Sequence, residues 1–190
     1  KPDCERAAGV LLETAPKDAP WEDLQASLSE DLQQRAEVLI ALAERAALQG
    51  KTKESNQLLK SAIKRAPDNW LVLARAGLIE FGKVSEKEEI RFLRMLCDQD
   101  RKVVEKASDL FGRSWEAIKN TGWPPQGDWV AANRASTLLL LSNETASDQV
   151  LQDALSKCGS TPAILHVKAM RHMDREEWAD AISDLSSIPE

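Results

Sequence analysis

The stretch Ala36–Pro67 reads AEVLIALAERAALQGKTKESNQLLKSAIKRAP, and the fold turns on how it is read. Counted from Ala36, apolar or small residues fall at the fourth, seventh, eighth and eleventh places (Leu39, Leu42, Ala43, Ala46) and again at the twenty-fourth and twenty-seventh (Leu59, Ala62). Spacings of three and four gather each group on one face of a helix. Gly50 lies between the groups, where a left-handed residue ends a helix, and Pro67 stops the second run. Ser55 takes the twentieth place. The stretch is therefore a helix pair. Small side chains at Ala43, Ser55 and Ala62 let the two backbones approach, and the larger ones fill the space to a neighbouring pair.

The pattern returns at a fixed interval. A unit starting at Trp70, 34 residues after Ala36, carries Leu73, Ala76, Gly77 and Leu93 in the same classes and departs from them at Glu89, Leu96 and Arg101. Units starting at Asp128 and Pro162 are again 34 apart. The first has Ala131, Ala135, Leu138, Ser147, Leu151 and Ala154, and the second Leu165, Ala169, Trp178, Ala181 and Leu185. These units resemble the tetratricopeptide repeat, with large apolar residues at places four, seven and twenty-four, small ones at eight, twenty and twenty-seven, and proline at thirty-two. Departures are Arg134 and Lys168 at the apolar seventh place, and Ala46, Glu80, Leu138 and His172 at the aromatic eleventh. The resemblance implies an all-α fold, a right-handed superhelical solenoid of helix-turn-helix repeats.

From Trp70 to Asp128 is a step of 58 residues, one period of 34 plus 24. The expected organisation is thus capping helices over 1–35, two repeats over 36–103, an extra helix with a Trp123-Pro124-Pro125 loop over 104–127, and two repeats over 128–190, the last truncated. The extra helix carries Val103, Val104, Ala107, Leu110, Phe111, Trp115 and Ile118, and an odd helix of this kind bends a solenoid or shifts its phase. Punctuation and periodicity together predict helices at about 4–14, 20–28, 30–49, 53–66, 69–81, 86–97, 101–119, 128–141, 145–158, 162–173 and 175–187. Pro20, Ser85 with Glu88, Thr145 with Asp148, and Thr161-Pro162 read as helix starts; Gly50, Gly82, Gly122 and Gly159 read as stops. No segment alternates as a strand does.

Composition agrees. Of 190 residues 43% are hydrophobic, enough for a core, while aromatics make up only 5%, with six Trp, three Phe and no Tyr. The scarcity follows from the small residues that close packing demands. Net charge is −6, and the richest basic stretch, Arg91–Arg94, follows Glu86, Glu88 and Glu89. Phosphate binding needs a one-sided basic surface, so nucleic acid is not expected as a partner. Cys4, Cys97 and Cys158 are odd in number and far apart, which argues against a disulfide framework or zinc site. The longest apolar run, Leu138–Leu141, is too short to span a bilayer, so direct membrane insertion is not expected. A soluble chain is expected, cytoplasmic rather than periplasmic on its unpaired cysteines, although a removed leader would allow the latter. A start at Lys1 and a stop inside an unfinished unit read as a fragment or a processed chain.

Nothing in the sequence has a catalytic setting: there is no GxSxG, GxxxxGK[ST], HExxH or GxGxxG. His166 and His172, six apart, point about 120° away from each other on a helix and make a poor metal pair. No catalytic, cofactor-binding or metal residue is expected, and the chain reads as a non-enzyme. In the family it resembles, the concave surface is built from first-helix positions that correspond here to Glu37, Ile40, Glu44 and Ala47; Leu71, Ala74, Leu78 and Phe81; Trp129, Ala132, Ser136 and Leu139; and Ala163, His166, Met170 and Met173. Ala41, Arg75, Asn133 and Val167 lie alongside. Some members clamp the carboxylate of chaperone tails with lysines in such positions. Here those positions lack Lys, and Arg75 with Asn133 cannot replace it.

The resemblance therefore implies a protein-interaction scaffold that takes a peptide or helix of a partner protein in an apolar groove. Its candidate residues are Leu71, Arg75, Leu78, Phe81, Trp123, Trp129, Asn133, Met170 and Met173. Trp123 is included because a tryptophan in a proline-rich loop either plugs the repeat stack or serves as a contact. Trp70, Trp115, Trp129 and Trp178 sit where packing between repeats also explains them. The competing expectation is a regulatory or architectural arm of a larger enzyme or secretion or envelope assembly, with the groove filled in cis. Oligomeric state stays open.

Overall fold

The computed structural model describes residues 14–16, 19–85 and 98–188. Among them every regular element is a helix and there is no strand. The helices are α1 (Trp21–Ala26), α2 (Glu30–Gln33), α3 (Ala36–Leu48), α4 (Thr52–Arg65), α5 (Trp70–Ser85), α6 (Asp98–Thr121), α7 (Gly127–Leu140), α8 (Glu144–Cys158), α9 (Pro162–Asp174) and α10 (Trp178–Ser186). The chain forms two compact units, Lys1–Ile79 and Glu80–Glu190, and the division falls inside α5.

In the first unit α3 is apolar nearly all round, burying Val38, Leu39, Ile40, Leu42, Ala43 and Ala46. Such a helix must be covered on more than one side. One cover is α4, which buries only Ser55, Leu59 and Ala62 and turns its Lys and Gln residues to water. Another comes from Leu24, Leu28 and Leu32, which pack on Val38, Ala41 and Leu42. That packing explains why the stretch expected as one helix at 30–49 is two: Arg35 is extended, with ψ 141°, and lets Leu32 fold back onto α3. No Gly or Pro marks the break. Arg45, buried in the same helix, donates to the carbonyls of Ala15 and Pro16, both at 3.0 Å.

Three helix ends share one geometry. Gly50 has φ +72°, with Gly50 N–H on Ala47 O and Lys51 N–H on Ala46 O, both at 2.9 Å. Ser142, with φ 60°, and Asn143 repeat the two bonds onto Leu139 and Leu138 at 2.8 Å each. Glu176, with φ 63°, and Glu177 repeat them onto Met173 at 3.1 Å and His172 at 2.9 Å. Each is a Schellman cap. All three stand at the fifteenth place of the units starting at Ala36, Asp128 and Pro162.

A second bond recurs between paired helices. The buried Ser55 hydroxyl donates to Ala43 O at 2.8 Å, and the buried Ser147 hydroxyl to Ala135 O at 3.0 Å. These are places twenty and eight of their units. In the pair α9–α10 the same two places hold Ala169 and Ala181, both buried.

The unit beginning at Trp70 lacks the turn. α5 runs through Gly82 to Ser85, so Gly82 is not a stop. Its apolar face continues, because Val84 is buried against Val104 and Leu140 with Phe81 beside them. The second helix expected at 86–97, the Ser85–Glu88 capping box, Cys97, Cys4 and nearly all of the helix expected at 4–14 lie outside the described residues. α6 buries the stripe Val104, Ala107, Leu110, Phe111, Trp115 and Ile118 and packs along α7. α7 pairs with α8, α9 pairs with α10, and α9 also lies beside α7. The cap of α8 is Asn143, whose side chain accepts from Ala146 N–H, and not Thr145, which lies within the helix. Thr161-Pro162 opens α9 as expected, although the Thr161 hydroxyl makes no hydrogen bond there.

Candidate functional site

The candidate residues fall on three helices and one loop. In the first unit Leu71 is half-buried and Leu78 exposed on α5. Arg75 grips Glu44 with two bonds, one of them Nε to Oε1 at 2.7 Å. Six residues earlier, just before α5 begins, Asn69 Nδ2 donates to Glu37 Oε1 at 2.9 Å. These first-helix positions are therefore polar clasps between α3 and α5. Arg75 is committed to a carboxylate within the chain, which removes it as the basic anchor of a clamp. Ile40 and Ala74 are fully buried and line no surface.

In the second unit Trp129 and Asn133 on α7, and Met170 and Met173 on α9, occupy equivalent faces of neighbouring helices. All four keep partial exposure, Ser136 is half-buried and His166 is exposed, whereas Ala132 and Leu139 are core. Asn133 Nδ2 donates to Trp129 O at 2.8 Å, so part of its hydrogen-bonding capacity is spent on its own helix. Phe81 is half-buried against Val84, Val104 and Leu140, and is closer to core than to an exposed anchor.

Trp123 is a plug. Its ring meets Trp115 edge-on, with centroids 5.2 Å apart and planes at 89°, a favoured aromatic geometry. The indole also lies over Gly127, where an added Cβ would come within 2.7 Å of it. One edge of the pair lines a cleft of about 420 Å³ bordered by Lys119, Asp153 and Lys157.

Charged side chains at apolar places are satisfied across helices, and the sequence pattern marks only their oddness. Arg134 reaches from α7 to the Ser108 carbonyl and, at 2.6 Å, to its hydroxyl on α6. Burial pulls its guanidinium down from its ordinary value, and Asp109 and Glu116 partly oppose this. Lys168 crosses to Asp184 Oδ1 at 2.9 Å. Glu80 at 3% side-chain exposure holds Lys83 at 2.8 Å and Lys106 at 2.5 Å. Burial pushes its carboxyl up, but the bonds from Lys106 and Lys83 outweigh this and hold it below the usual range.

A network of arginines and carboxylates joins α8 to α9. Buried Arg171 binds Asp148 through Nε at 3.0 Å and Glu144 at 2.6 Å, and Arg175 adds a bond to Asp148 at 2.7 Å. Desolvation raises the Asp148 carboxyl, and the two arginines more than reverse it. No helical periodicity foretells this network, because Glu144 and Asp148 read as an ordinary solvated face.

Among the described residues His172, Glu177 and Asp180 are the set whose ligand atoms could converge on a metal ion, lying within 4.8 Å of one another. The His172 Nδ1–H donates to Glu177 Oε2 at 2.6 Å, and Nε2 lies 3.5 Å from Asp184 Oδ2. The ring thus ties α9 to α10. Cys158 ends α8 half-buried, and burial, followed by the Asp128 charge, pushes its thiol up, away from reactivity. No described helix is long and apolar enough to cross a membrane. Compared with known proteins, the chain matches no family model and no curated sequence.

Proposed function

We propose that this chain is a non-catalytic scaffold built as a right-handed solenoid of tetratricopeptide-like helix pairs, binding a peptide or helix of a partner protein by apolar burial. Support for the repeat comes from the Schellman cap and the Ser-to-carbonyl bond returning at the same places of separate units. The observation that carries the function is the face shared by α7 and α9, where Trp129 near the start of α7 and Met170 and Met173 toward the end of α9 are partly exposed, together with Asn133, Ser136 and His166. Leu71 and Leu78 occupy the same places on α5. Unbranched Met adapts to different shapes, and aromatic anchors dominate such interfaces. Net charge of −6 favours a protein over a nucleic acid as the occupant.

Selection of a displayed peptide library on the immobilised chain tests this reading. The expected outcome is enrichment of apolar or amphipathic peptides whose affinity falls at least about tenfold in Met170→Glu, a loss of about 1.4 kcal/mol, with the far-ultraviolet circular dichroism unchanged. Absence of enrichment, or peptides indifferent to both Met170→Glu and Trp129→Ser, overturns it. Phe81→Glu is not a clean probe, because Phe81 also packs on Val84 and Val104.

A further inference from the structure

His172, in the last turn of α9, meets Asp184 on α10, with Nε2 3.5 Å from Oδ2. Moving back 34 residues, the same two places hold Leu138 and Val150, both buried in one core cluster. In the unit starting at Ala36 they hold Ala46 and Leu58. Apolar residues therefore satisfy the packing of a helix pair at these places, and a histidine with a carboxylate needs another reason. Glu177 and Asp180 likewise stand where Asn143 and Ala146 stand one unit earlier. The turn at Glu176 gathers all four: Glu177 caps α10, and Asp180 and Asp184, four apart, share one side of it.

A neutral imidazole has one N–H and cannot serve both of its neighbours. With that proton on Nδ1 the ring serves Glu177 Oε2 at 2.6 Å and leaves Asp184 Oδ2, a buried oxygen, without a hydrogen-bond partner. Charge is unbalanced in the same direction. Glu177, Asp180 and Asp184 bring three negative charges and Lys168, 2.9 Å from Asp184 Oδ1, brings one positive, an excess of two. Arg171 and Arg175 are already held by Glu144 and Asp148.

We propose that His172, Glu177 and Asp180 are the ligands of a divalent transition ion of the zinc class, which joins α9 to α10. Their ligand atoms lie within 4.8 Å of one another. Ligands about 2.1 Å from one tetrahedral ion stand roughly 3.4 Å apart, and Glu177 and Asp180 are both exposed, so side-chain movement alone adjusts the site. The ion takes the Nδ1 lone pair, and the ring keeps Nε2–H for Asp184 Oδ2. A carboxylate holding the far nitrogen is the usual support of a ligating histidine. Two positive charges then meet the excess of two negative. A ring nitrogen beside two carboxylates favours a zinc-like ion over Mg²⁺, which prefers oxygen alone. The site does not depend on the groove reading.

The probe is Zn²⁺ alone, titrated calorimetrically into the whole chain. A saturable equivalent is expected, with a rise in the urea midpoint that the same concentration of Mg²⁺ does not give. Asp180→Asn and His172→Gln should each weaken this binding at least about tenfold, with the far-ultraviolet circular dichroism unchanged, and His166→Gln should leave it as it is. Asp180 is exposed, so its substitution leaves the fold intact. Long-range proton–nitrogen spectra of the zinc-loaded chain should place the ion on Nδ1 of His172 and the proton on Nε2. No saturable binding at about 1 mM Zn²⁺, or binding insensitive to both Asp180→Asn and His172→Gln, overturns the proposal. So does an ion found on Nε2, for then Asp184 does not orient the ring.

Discussion

The fifteenth place of each closed unit shows how much a single residue decides. It needs a left-handed backbone, which costs a residue bearing a Cβ roughly 1–2 kcal/mol and glycine almost nothing. Gly50 meets the need; Ser142 and Glu176 adopt the same φ against their preference. Replacing Gly50 with Ala should therefore lower stability by about 1 kcal/mol, and Glu176→Gly should raise it by a similar amount, measured as shifts of the urea midpoint. A destabilised Glu176→Gly would mean that the Glu176 side chain, rather than the backbone, secures the turn. At Gly50 this geometry is legible in the sequence. At Ser142 and Glu176 only the period points to it, since neither residue type signals a left-handed turn. Buried Arg171 is less legible still, because its partners Glu144 and Asp148 come from another helix.

At the scale of elements, helix identity follows from periodicity and helix ends follow from packing. α3 is legible because small and large apolar residues alternate in the pattern of a covered helix. The end of α5 is not. Gly82 reads as a stop, yet Phe81 and Val84 continue the apolar face onto Val104 and the helix runs on. That end is held to α6 by Glu80 with Lys83 and Lys106. The depressed Glu80 carboxyl makes this contribution pH-dependent. It is fully present above the ordinary glutamate value of 4.5 and is lost as pH falls through the lowered folded value, and Asp148 adds the same sign. Glu80→Gln should cost about 1–3 kcal/mol at pH 7, since it leaves two lysines without their shared carboxylate, one of them largely exposed and so partly screened. It should also flatten the fall in stability as pH drops below 4.5, the ordinary glutamate value, followed by urea unfolding at each pH. An unchanged slope would place the acid sensitivity elsewhere.

At the scale of the whole molecule, the proposed scaffold varies and repeats one helix pair to build a surface for a partner. The candidate residues separate on that basis. Arg75 and Phe81 serve the chain's own packing, Trp123 plugs against Trp115 and Gly127, and Trp129, Asn133, Met170 and Met173 keep partial exposure. The sequence places these residues on helical segments and in one proline-rich loop, because apolar spacing and Pro124-Pro125 mark those segments. It does not tell which are already satisfied, because that depends on side chains 26 to 31 residues away, such as Ser108 for Arg134 and Glu44 for Arg75. Chemical-shift mapping with a peptide selected from the library tests the central claim most directly. The account predicts shifts concentrated on Trp129, Asn133, His166, Met170 and Met173, and the same peptide losing them in Met170→Glu. Shifts confined to Trp178, Ile182 and Leu185, or none at saturating peptide, would contradict it.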